Sequence, residues 1–392
     1  MSATRAVVTV LVGAAFAVLA FLAWTSGVDA WDRRTAPGWE VDAAELAVPS
    51  QVYDPPLVLD DTAHNGPPGP VALVFRGQRY RHGLTGTVTA PWIAVSAATG
   101  EYRVVAASHV PAAGEGEVTV APDGSALAWP WEGGVVVYDT SSGEAHELAG
   151  DVATPPRHLV WSPDGRWLAF SADGVRVLDT GSGRVTAVPD LPEPLARRLT
   201  FSTDGRSLVA ASTDAVTVLD WRTGRRQRFP ALLGRVVDVR GGAGDKVATL
   251  SAGRFANPVR VVDPRPRGVR VARVAGRDLS VRGLVGWVGT DAVAVIGLRL
   301  ETGPLMAVYG MPVDGGAHDR LVLLPASGGT NWTSPATLSV ASGLLDRVRD
   351  VEEPQWPWDP RAKLSAVTLA TMFVLGSLLL RPPRQRGRRR TH

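Results

Sequence analysis

Residues 159–174, LVWSPDGRWLAFSADG, predict two antiparallel strands joined by a tight turn. On both sides of the turn, side chains alternate in character as they do along half-buried strands. Pro163 and Asp164 favour the first half of a turn, and Gly165 adopts a positive φ without steric cost. The stretch therefore predicts a β-hairpin.

The same unit recurs about every 40 residues. VRVLDTGSGRVTAV at 175–188 supplies two more strands, so that one unit contains four. The turn aspartates of successive units are Asp123, Asp164, Asp204 and Asp245, and a second ladder in phase with them consists of Asp139, Asp179, Asp220 and Asp263. A period of about 40 to 45 residues with four strands per unit is the signature of propeller blades.

The repeated segments resemble the WD-repeat-like propeller repeat of TolB-type exported bacterial proteins. They lack the regular Gly-His and Trp-Asp pairs of eukaryotic WD repeats. The resemblance is specific over residues 116–230, and weaker segments stay in phase on both sides of them. Counting units predicts an all-β propeller of six four-stranded blades over 57–325. Seven blades are the alternative, because 330–349 can hold either closing strands or part of a seventh blade; the propeller domain is then 57–349.

Two apolar stretches flank the repeats. Ala6–Trp24 contains 19 uncharged residues and Leu364–Leu380 contains 17, lengths that approach the roughly 20 residues of a membrane-spanning helix. We therefore predict an N-terminal transmembrane anchor within 1–25 and a C-terminal transmembrane helix at 364–380. Cleavage of a signal peptide after Ala30 is the alternative for the first stretch.

The charge around these stretches predicts an orientation. The tail 381–392 contains six arginines and no acidic residue, and arginine beside a span is retained in the cytoplasm. We expect a cell-membrane protein with a cytoplasmic C-terminus and an extracytoplasmic propeller. Residues 26–56 and 350–363 are predicted to be stalks that join the propeller to the two spans.

The charge of the predicted exported part limits its partners. Residues 26–360 contain 32 Lys and Arg against 38 Asp and Glu, a net charge of −6, although the whole chain carries +3. A nucleic-acid-binding propeller is expected to be basic itself, so we predict no nucleic-acid partner. The chain has no cysteine, which excludes disulfides, thiolate metal sites and a cysteine nucleophile.

The sequence shows no catalytic motif. It contains no G-x-S-x-G elbow, no P-loop and no G-x-G-x-x-G, and His146-Glu147 lacks the second histidine of a zinc-protease motif. We predict no catalytic, cofactor-binding or metal-binding residues. The ladder aspartates have two interpretations, cation ligands at a channel mouth or acceptors that stabilise turns. The second is favoured because the same residue recurs in blade after blade.

These features predict a binding protein and not an enzyme. A rigid ring with many loops, tethered to a membrane and without a catalytic motif, suits a protein-binding or scaffolding module of the bacterial envelope. The expected partner is an envelope or membrane protein. The alternative is a hydrolase or lyase of the propeller class, with carboxylates at the central cleft.

Overall fold

The computed structural model describes most of the residues between 41 and 357. These are 41–82, 86–112, 115–149, 152, 154–189, 191, 199–212, 215–230, 236–252, 258–263, 270–273, 279–299, 305–325 and 337–357, together with 13, 365 and 368–373.

The first part of the described chain forms seven short strands and one short helix. They are β1 (Val48–Pro49), β2 (Asp60–Asp61), α1 (Thr62–Asn65), β3 (Val71–Arg76), β4 (Arg79–His82), β5 (Gly86–Thr89), β6 (Trp92–Ser96) and β7 (Tyr102–Val104). Strands β4 and β5 form a small sheet of their own, and β3, β6 and β7 belong to blade 1.

Five blades follow, each a sheet of four consecutive strands. Blade 2 contains β8 (Thr119–Val120), β9 (Ala126–Trp131), β10 (Gly134–Asp139) and β11 (Ala145–Leu148). Blade 3 contains β12 (Arg157–Trp161), β13 (Trp167–Ser171), β14 (Val175–Asp179) and β15 (Val185–Val188). Blade 4 contains β16 (Leu199–Phe201), β17 (Ser207–Ala211), β18 (Ala215–Asp220) and β19 (Arg226–Pro230). Blade 5 contains β20 (Val236–Gly241), β21 (Val247–Ser251), β22 (Val259–Asp263) and β23 (Arg270–Arg273). Blade 6 contains β24 (Leu279–Val288), β25 (Ala292–Arg299), β26 (Leu305–Pro312) and β27 (Asp319–Leu323).

The C-terminal end of the propeller closes the ring. After blade 6 come β28 (Ser339–Val340), a 3-10 helix (Ser342–Leu344) and β29 (Val348–Arg349). Strand β28 pairs with β3, with Val340 opposite Leu73, and so becomes the first strand of blade 1. The predicted choice between closing strands and a seventh blade is thereby decided: the ring has six blades. Closure of this kind leaves no open sheet edge between the two ends of the ring.

The first strand of each blade is the innermost one. The first strands of neighbouring blades contact one another from β28 through β8, β12, β16 and β20 to β24. Large side chains fill the layers between the blades, and those buried completely or almost completely include Phe75, Trp92, Trp129, Tyr138 and Phe170. Burying aromatic surface of this size is a main source of stability in such rings.

One face of the ring is built from the repeated turns, and we call it the turn face. In each of blades 2 to 4 it carries the turn between the first two strands and the turn between the last two, and in blade 5 it carries the turn between the first two. In blade 3 these turns are joined by a bond of 3.0 Å from the Thr180 amide to the Arg166 carbonyl. Gly165 lies in the left-handed region at φ 68°, which confirms the predicted turn.

Part of the predicted first stalk packs into the propeller. Strand β1 pairs in parallel with β29, and the Val52 amide donates to the Leu323 carbonyl at the end of blade 6. Leu46, Val48 and Val52 are buried. Residues 46–52 therefore form a strap across the closure of the ring, and we refer to them as the strap.

The predicted membrane spans lie almost entirely outside the described residues, and the structure does not confirm them. Within the residues that it describes, no helix is both long and apolar enough to cross a bilayer. Of the second predicted span, residues 365 and 368–373 are helical. Leu369, Met372 and Phe373 among them are exposed.

Candidate functional site

A cavity of about 760 Å³ lies along the axis of the ring. Its wall includes residues of the first strands of all six blades: Val120, Trp161, Phe201, Arg240, Trp287 and Val340. It also includes Glu115 and Glu117, which precede β8, and Pro122 and Pro163 in the turns that follow β8 and β12. The cavity therefore extends from the turn face towards the opposite face, which we call the loop face.

The wall of the cavity is irregular at blade 3. The register of β12 against β13 shifts between Arg157 and Val160, which marks a β-bulge. His158, inside this bulge, has a φ of 56°, a conformation that costs a residue with a Cβ about 1 to 3 kcal/mol. Bulges of this type redirect side chains and are frequent beside binding and active sites. Both Arg157 and His158 line the cavity.

Trp161 brings a hydrogen-bond donor to the same strand. Its side chain lines the cavity, and the residue is only 7% exposed. The indole N–H has no hydrogen-bond partner among the described residues. A buried donor without an acceptor costs about 1 to 3 kcal/mol. The nitrogen itself lies inside the protein and not on the cavity surface, so this donor is part of the packed wall.

The mouth of the cavity on the loop face is charged. Glu115, Glu117 and Arg157 are exposed there, so both signs of charge are present. The Glu115 carboxylate accepts a bond of 2.9 Å from the Ala112 amide. This loop is fixed to blade 1 because the Arg76 guanidinium donates to the carbonyls of Pro111 and Ala112, at 2.8 and 2.6 Å.

Burial lowers the pKa of Arg76, while the carboxylates of Glu115 and Glu117 act in the opposite direction. These two glutamates thus face a buried cation on one side and the cavity on the other. The mouth is therefore held in place by charge as well as by backbone bonds.

A buried ion pair supports the wall between blades 5 and 6. The Arg240 Nη1 lies 2.7 Å from the Asp238 Oδ1. Asp238 also accepts the Leu284 amide at 2.9 Å, and Arg240 donates to the carbonyls of Leu284 and Val285. Three of these contacts go to the backbone of β24, and Arg240 also donates to the Val239 carbonyl on its own strand. The pair is thus a structural connection between two first strands, in which each charge is hydrogen-bonded.

The ladder aspartates stabilise turns. Oδ1 of Asp164 accepts the Arg166 amide, and Oδ1 of Asp220 accepts the amides of Arg222 and Thr223. The backbone hydrogen bond from Thr223 lowers the pKa of Asp220. The same arrangement occurs at Asp123, Asp139, Asp179 and Asp204. The favoured interpretation of the ladders is therefore confirmed at these six positions.

The His146-Glu147 pair of the sequence and its neighbour His109 are not part of the cavity wall. His146 and Glu147 are neighbours on β11, the last strand of blade 2, and each has a different partner. His146 lies 3.7 Å from Glu144, and Glu147 lies 3.1 Å from His109. In the described part of the chain, no group of three histidine, aspartate or glutamate side chains is placed to hold a metal ion.

The sequence did not single out the cavity residues on β12. From the sequence alone, His158 is expected to be packed or hydrogen-bonded because it precedes a strand that leads into a repeated turn, and Trp161 has no predicted role. The available signal was their position before a repeated turn, which places a residue on the first and innermost strand of its blade.

Comparison with solved structures agrees with the fold. TolB from Acinetobacter baumannii is 14% identical to this chain; the matched region covers 71% of this chain and 69% of the TolB chain, with a TM-score of 0.46. U3-55K is also 14% identical; the matched region covers 54% of this chain and 82% of the U3-55K chain, with a TM-score of 0.39. At such identities the similarity concerns the fold alone. The six-bladed topology agrees with the resemblance to TolB-type and WD-repeat-like propellers.

An enzyme structure is similar to the same extent. An oligogalacturonate lyase in complex with manganese is 16% identical and covers 54% of this chain and 66% of its own, with a TM-score of 0.41. No known protein family matches the sequence, and no curated protein is similar to it at a significant level.

Proposed function

We propose that the chain is a membrane-anchored, extracytoplasmic binding module whose central cavity receives a segment of an envelope or membrane protein. The observation that carries this proposal is the cavity itself, with a volume of about 760 Å³ and walls from all six blades. Binding sites for small ligands and short segments typically measure about 300 to 1,000 Å³. A rigid ring around such a cavity allows binding without a large ordering cost.

The chemistry of the wall favours a peptide segment. Trp161, Phe201 and Trp287 supply apolar surface, which suits alternating side chains of an extended chain. The acidic Glu117 and the basic Arg157 at the mouth provide contacts for charged side chains of either sign.

The location is proposed from the sequence. The apolar stretches Ala6–Trp24 and Leu364–Leu380 and the arginine-rich tail favour anchoring with the propeller outside the cytoplasm. A tether of this kind raises the effective concentration of the ring for partners near the membrane.

An enzyme is the second candidate, favoured by the carboxylates of Glu115, Glu117 and Asp346 in the cavity wall. General acid–base catalysis requires such groups within hydrogen-bond reach of a reacting atom. One of the three, Glu115, already accepts a backbone amide. Binding of a protein segment requires no pair of catalytic carboxylates, and it also explains why part of the cavity wall is apolar.

The proposal is tested by affinity capture with the full chain in detergent. We expect Glu117→Lys, which reverses a charge at the cavity mouth, to weaken partner retention by about tenfold or more. A basic side chain of the partner that binds Glu117 would then meet a like charge. The matched control is Glu144→Lys, which reverses an exposed charge on the turn face. Equal retention by both variants, together with turnover of a polyuronate or peptide substrate by the native chain, would favour the enzyme.

A further inference from the structure

The turn face of blades 3 and 4 carries a cluster of exposed arginines, which we call the arginine patch. Its members are Arg166, Arg184, Arg206, Arg222 and Arg225. All five lie in or directly beside the repeated turns, so they project from one rigid face. In the described part of the chain, Arg184, Arg206, Arg222 and Arg225 form no ion pair with a carboxylate.

Two tryptophans support the patch between the blades. The Arg166 guanidinium lies 4.8 Å from the ring centre of Trp167, and that of Arg222 lies 5.2 Å from the ring centre of Trp221. The two indole rings contact each other edge to face at 5.2 Å. Stacking on aromatic rings reduces the conformational freedom of a guanidinium while leaving its N–H groups available. The patch is therefore partly pre-organised.

The carboxylates of these turns are fixed in place, either by Arg166 or by backbone amides. Asp179 accepts a bond of 2.9 Å from Arg166, while Asp204 and Asp220 accept backbone amides. The aspartates thus neutralise only part of the patch. Blade 2 shows the contrast, because its turns carry Asp123, Asp139 and Glu144 and no arginine. The turns of blades 3 and 4 contain five arginines against the four aspartates Asp164, Asp179, Asp204 and Asp220, so basic groups outnumber acidic ones by one there, although residues 26–360 carry a net charge of −6.

The chain ends of the propeller lie on the same face. The Ala47 amide donates to the carbonyl of Ala97, and the Arg349 guanidinium donates to the carbonyl of Ala98 at 2.6 Å. Ala97 and Ala98 belong to the turn between β6 and β7 of blade 1. The start of the strap and β29 thus meet the ring on the turn face, which also carries the arginine patch.

We infer that the arginine patch docks on the phosphate groups of an anionic phospholipid surface, so that the turn face lies towards the membrane and the loop face away from it. The inference rests on the proposed membrane anchoring. Guanidinium groups bind phosphate through paired hydrogen bonds, and basic clusters held near a bilayer are attracted to anionic lipids. The contact is made by the edge formed by blades 3 and 4, because the turns of blade 2 are acidic.

The test uses the full chain in lipid nanodiscs with a fluorescent probe on a single cysteine. The probe is placed by Thr223→Cys, in the last turn of blade 4 beside the patch, or by Ser142→Cys, at the equivalent position of blade 2; both residues are exposed. The discs contain phosphatidylcholine alone or with one third phosphatidylglycerol, and a trace of lipid carrying a headgroup spin label quenches a nearby probe.

We expect quenching at position 223 to exceed quenching at position 142 severalfold in the anionic discs. It should fall to the level of position 142 in neutral discs and at high salt, where charges are screened. Arg222→Gln with Arg225→Gln should remove most of the difference, since both substitutions are exposed and leave the turn aspartate in place. Equal quenching at the two positions in anionic discs would overturn the inference, and an acidic protein would then be the better candidate for the patch.

Failure of the anchoring proposal has a different result. If the chain is not anchored, it does not co-purify with the discs. In that case the labelled chain is mixed with phosphatidylglycerol vesicles and the quenching is measured there. Selective quenching at position 223 on these vesicles would support the patch without the anchor, and its absence would contradict the patch as well.

Discussion

Val48 of the strap and Val348 of β29 are paired in register, yet they differ completely in exposure. Val48 is 0% exposed and Val348 is 38% exposed. The segment that precedes the first blade is thus inserted between the end of the ring and its beginning, while its partner strand covers it on the solvent side. The strap completes the closure that β28 starts.

This pair gives a matched test of the closure. Val48→Asp should lower the free energy of unfolding by about 3 to 5 kcal/mol, because it buries a charge without a partner. Val348→Asp should change it by no more than about 0.5 kcal/mol, as is usual for exposed positions. Thermal and urea unfolding of the full chain in detergent measures both. Similar losses for the two variants would show that the strap is not buried in solution.

The ion pair between Asp238 and Arg240 is expected to act as a unit. Asp238→Ala should cost about 3 to 5 kcal/mol, because it leaves the Arg240 guanidinium without its counter-charge and the Leu284 amide without its acceptor. Asp238→Leu combined with Arg240→Met should cost clearly less than the sum of the single changes. The pair of the exposed Glu101 and the partly buried Arg103, 3.8 Å apart, is the control, and Glu101→Ala should cost no more than about 1 kcal/mol. Additive effects within the buried pair would contradict its role in joining blades 5 and 6.

Acid should remove the contribution of the Asp61 carboxylate to the free energy of unfolding. Burial alone would raise the pKa of this carboxyl, but the hydrogen bonds from Tyr80 and His64 outweigh it and lower the pKa below the usual value. Its stabilising effect is therefore complete above the ordinary aspartate pKa of about 4 and is lost as the pH falls through the lower folded-state value.

The matched change is Asp61→Asn, which keeps an N-cap acceptor for α1 but removes the charge. The difference in free energy of unfolding between the native chain and this variant should shrink from neutral pH to about pH 2. Urea titrations at a series of pH values measure it. A difference that is constant over this range would show that the charge of Asp61 contributes nothing.

The proposed topology can be tested because the chain has no cysteine. Ser142→Cys, in an exposed turn, should react in intact cells with a thiol reagent that does not cross membranes. Thr391→Cys, beyond the arginine-rich stretch, should react only after lysis. The neighbouring Thr140 is unsuitable for labelling because it is fully buried. The reverse pattern, or equal labelling at both positions, would exclude the proposed orientation.

The sequence predicted the blades well because their information is local. Each turn contains its own aspartate acceptor and a glycine such as Gly165, and the strands alternate in short runs around it. The period of these turns then fixed the number of complete four-stranded units. Even the degraded turn near Asp245 is present, as a short 3-10 turn between β20 and β21.

The closure could not be predicted with the same certainty. Strand β28 has only two residues, and its partner Leu73 lies far away in the chain. A two-residue strand has no period to detect, and its position depends on the gap that the other strands leave. The sequence predicts a stalk for a similar reason, since the whole stretch 26–56 is rich in proline and acidic residues, although Val48 and Val52 of the strap are buried.

The cavity was hidden from the sequence because it arises from assembly. Trp161 and Trp287 have the same residue type as many packed tryptophans, and only the ring brings them to one axis. The bulge at His158 is a register shift between two strands, which single-strand patterns do not reveal.

The central claim is that the cavity receives a protein segment, and site-specific photo-crosslinking in intact cells tests it most directly. A photoreactive amino acid replaces Leu159, on the cavity wall, or Thr186, which is exposed on the last strand of the same blade. We predict that position 159 crosslinks one defined envelope or membrane protein, that position 186 does not, and that Glu117→Lys reduces the product. No crosslinked protein from position 159, or the same proteins from both positions, would contradict the account.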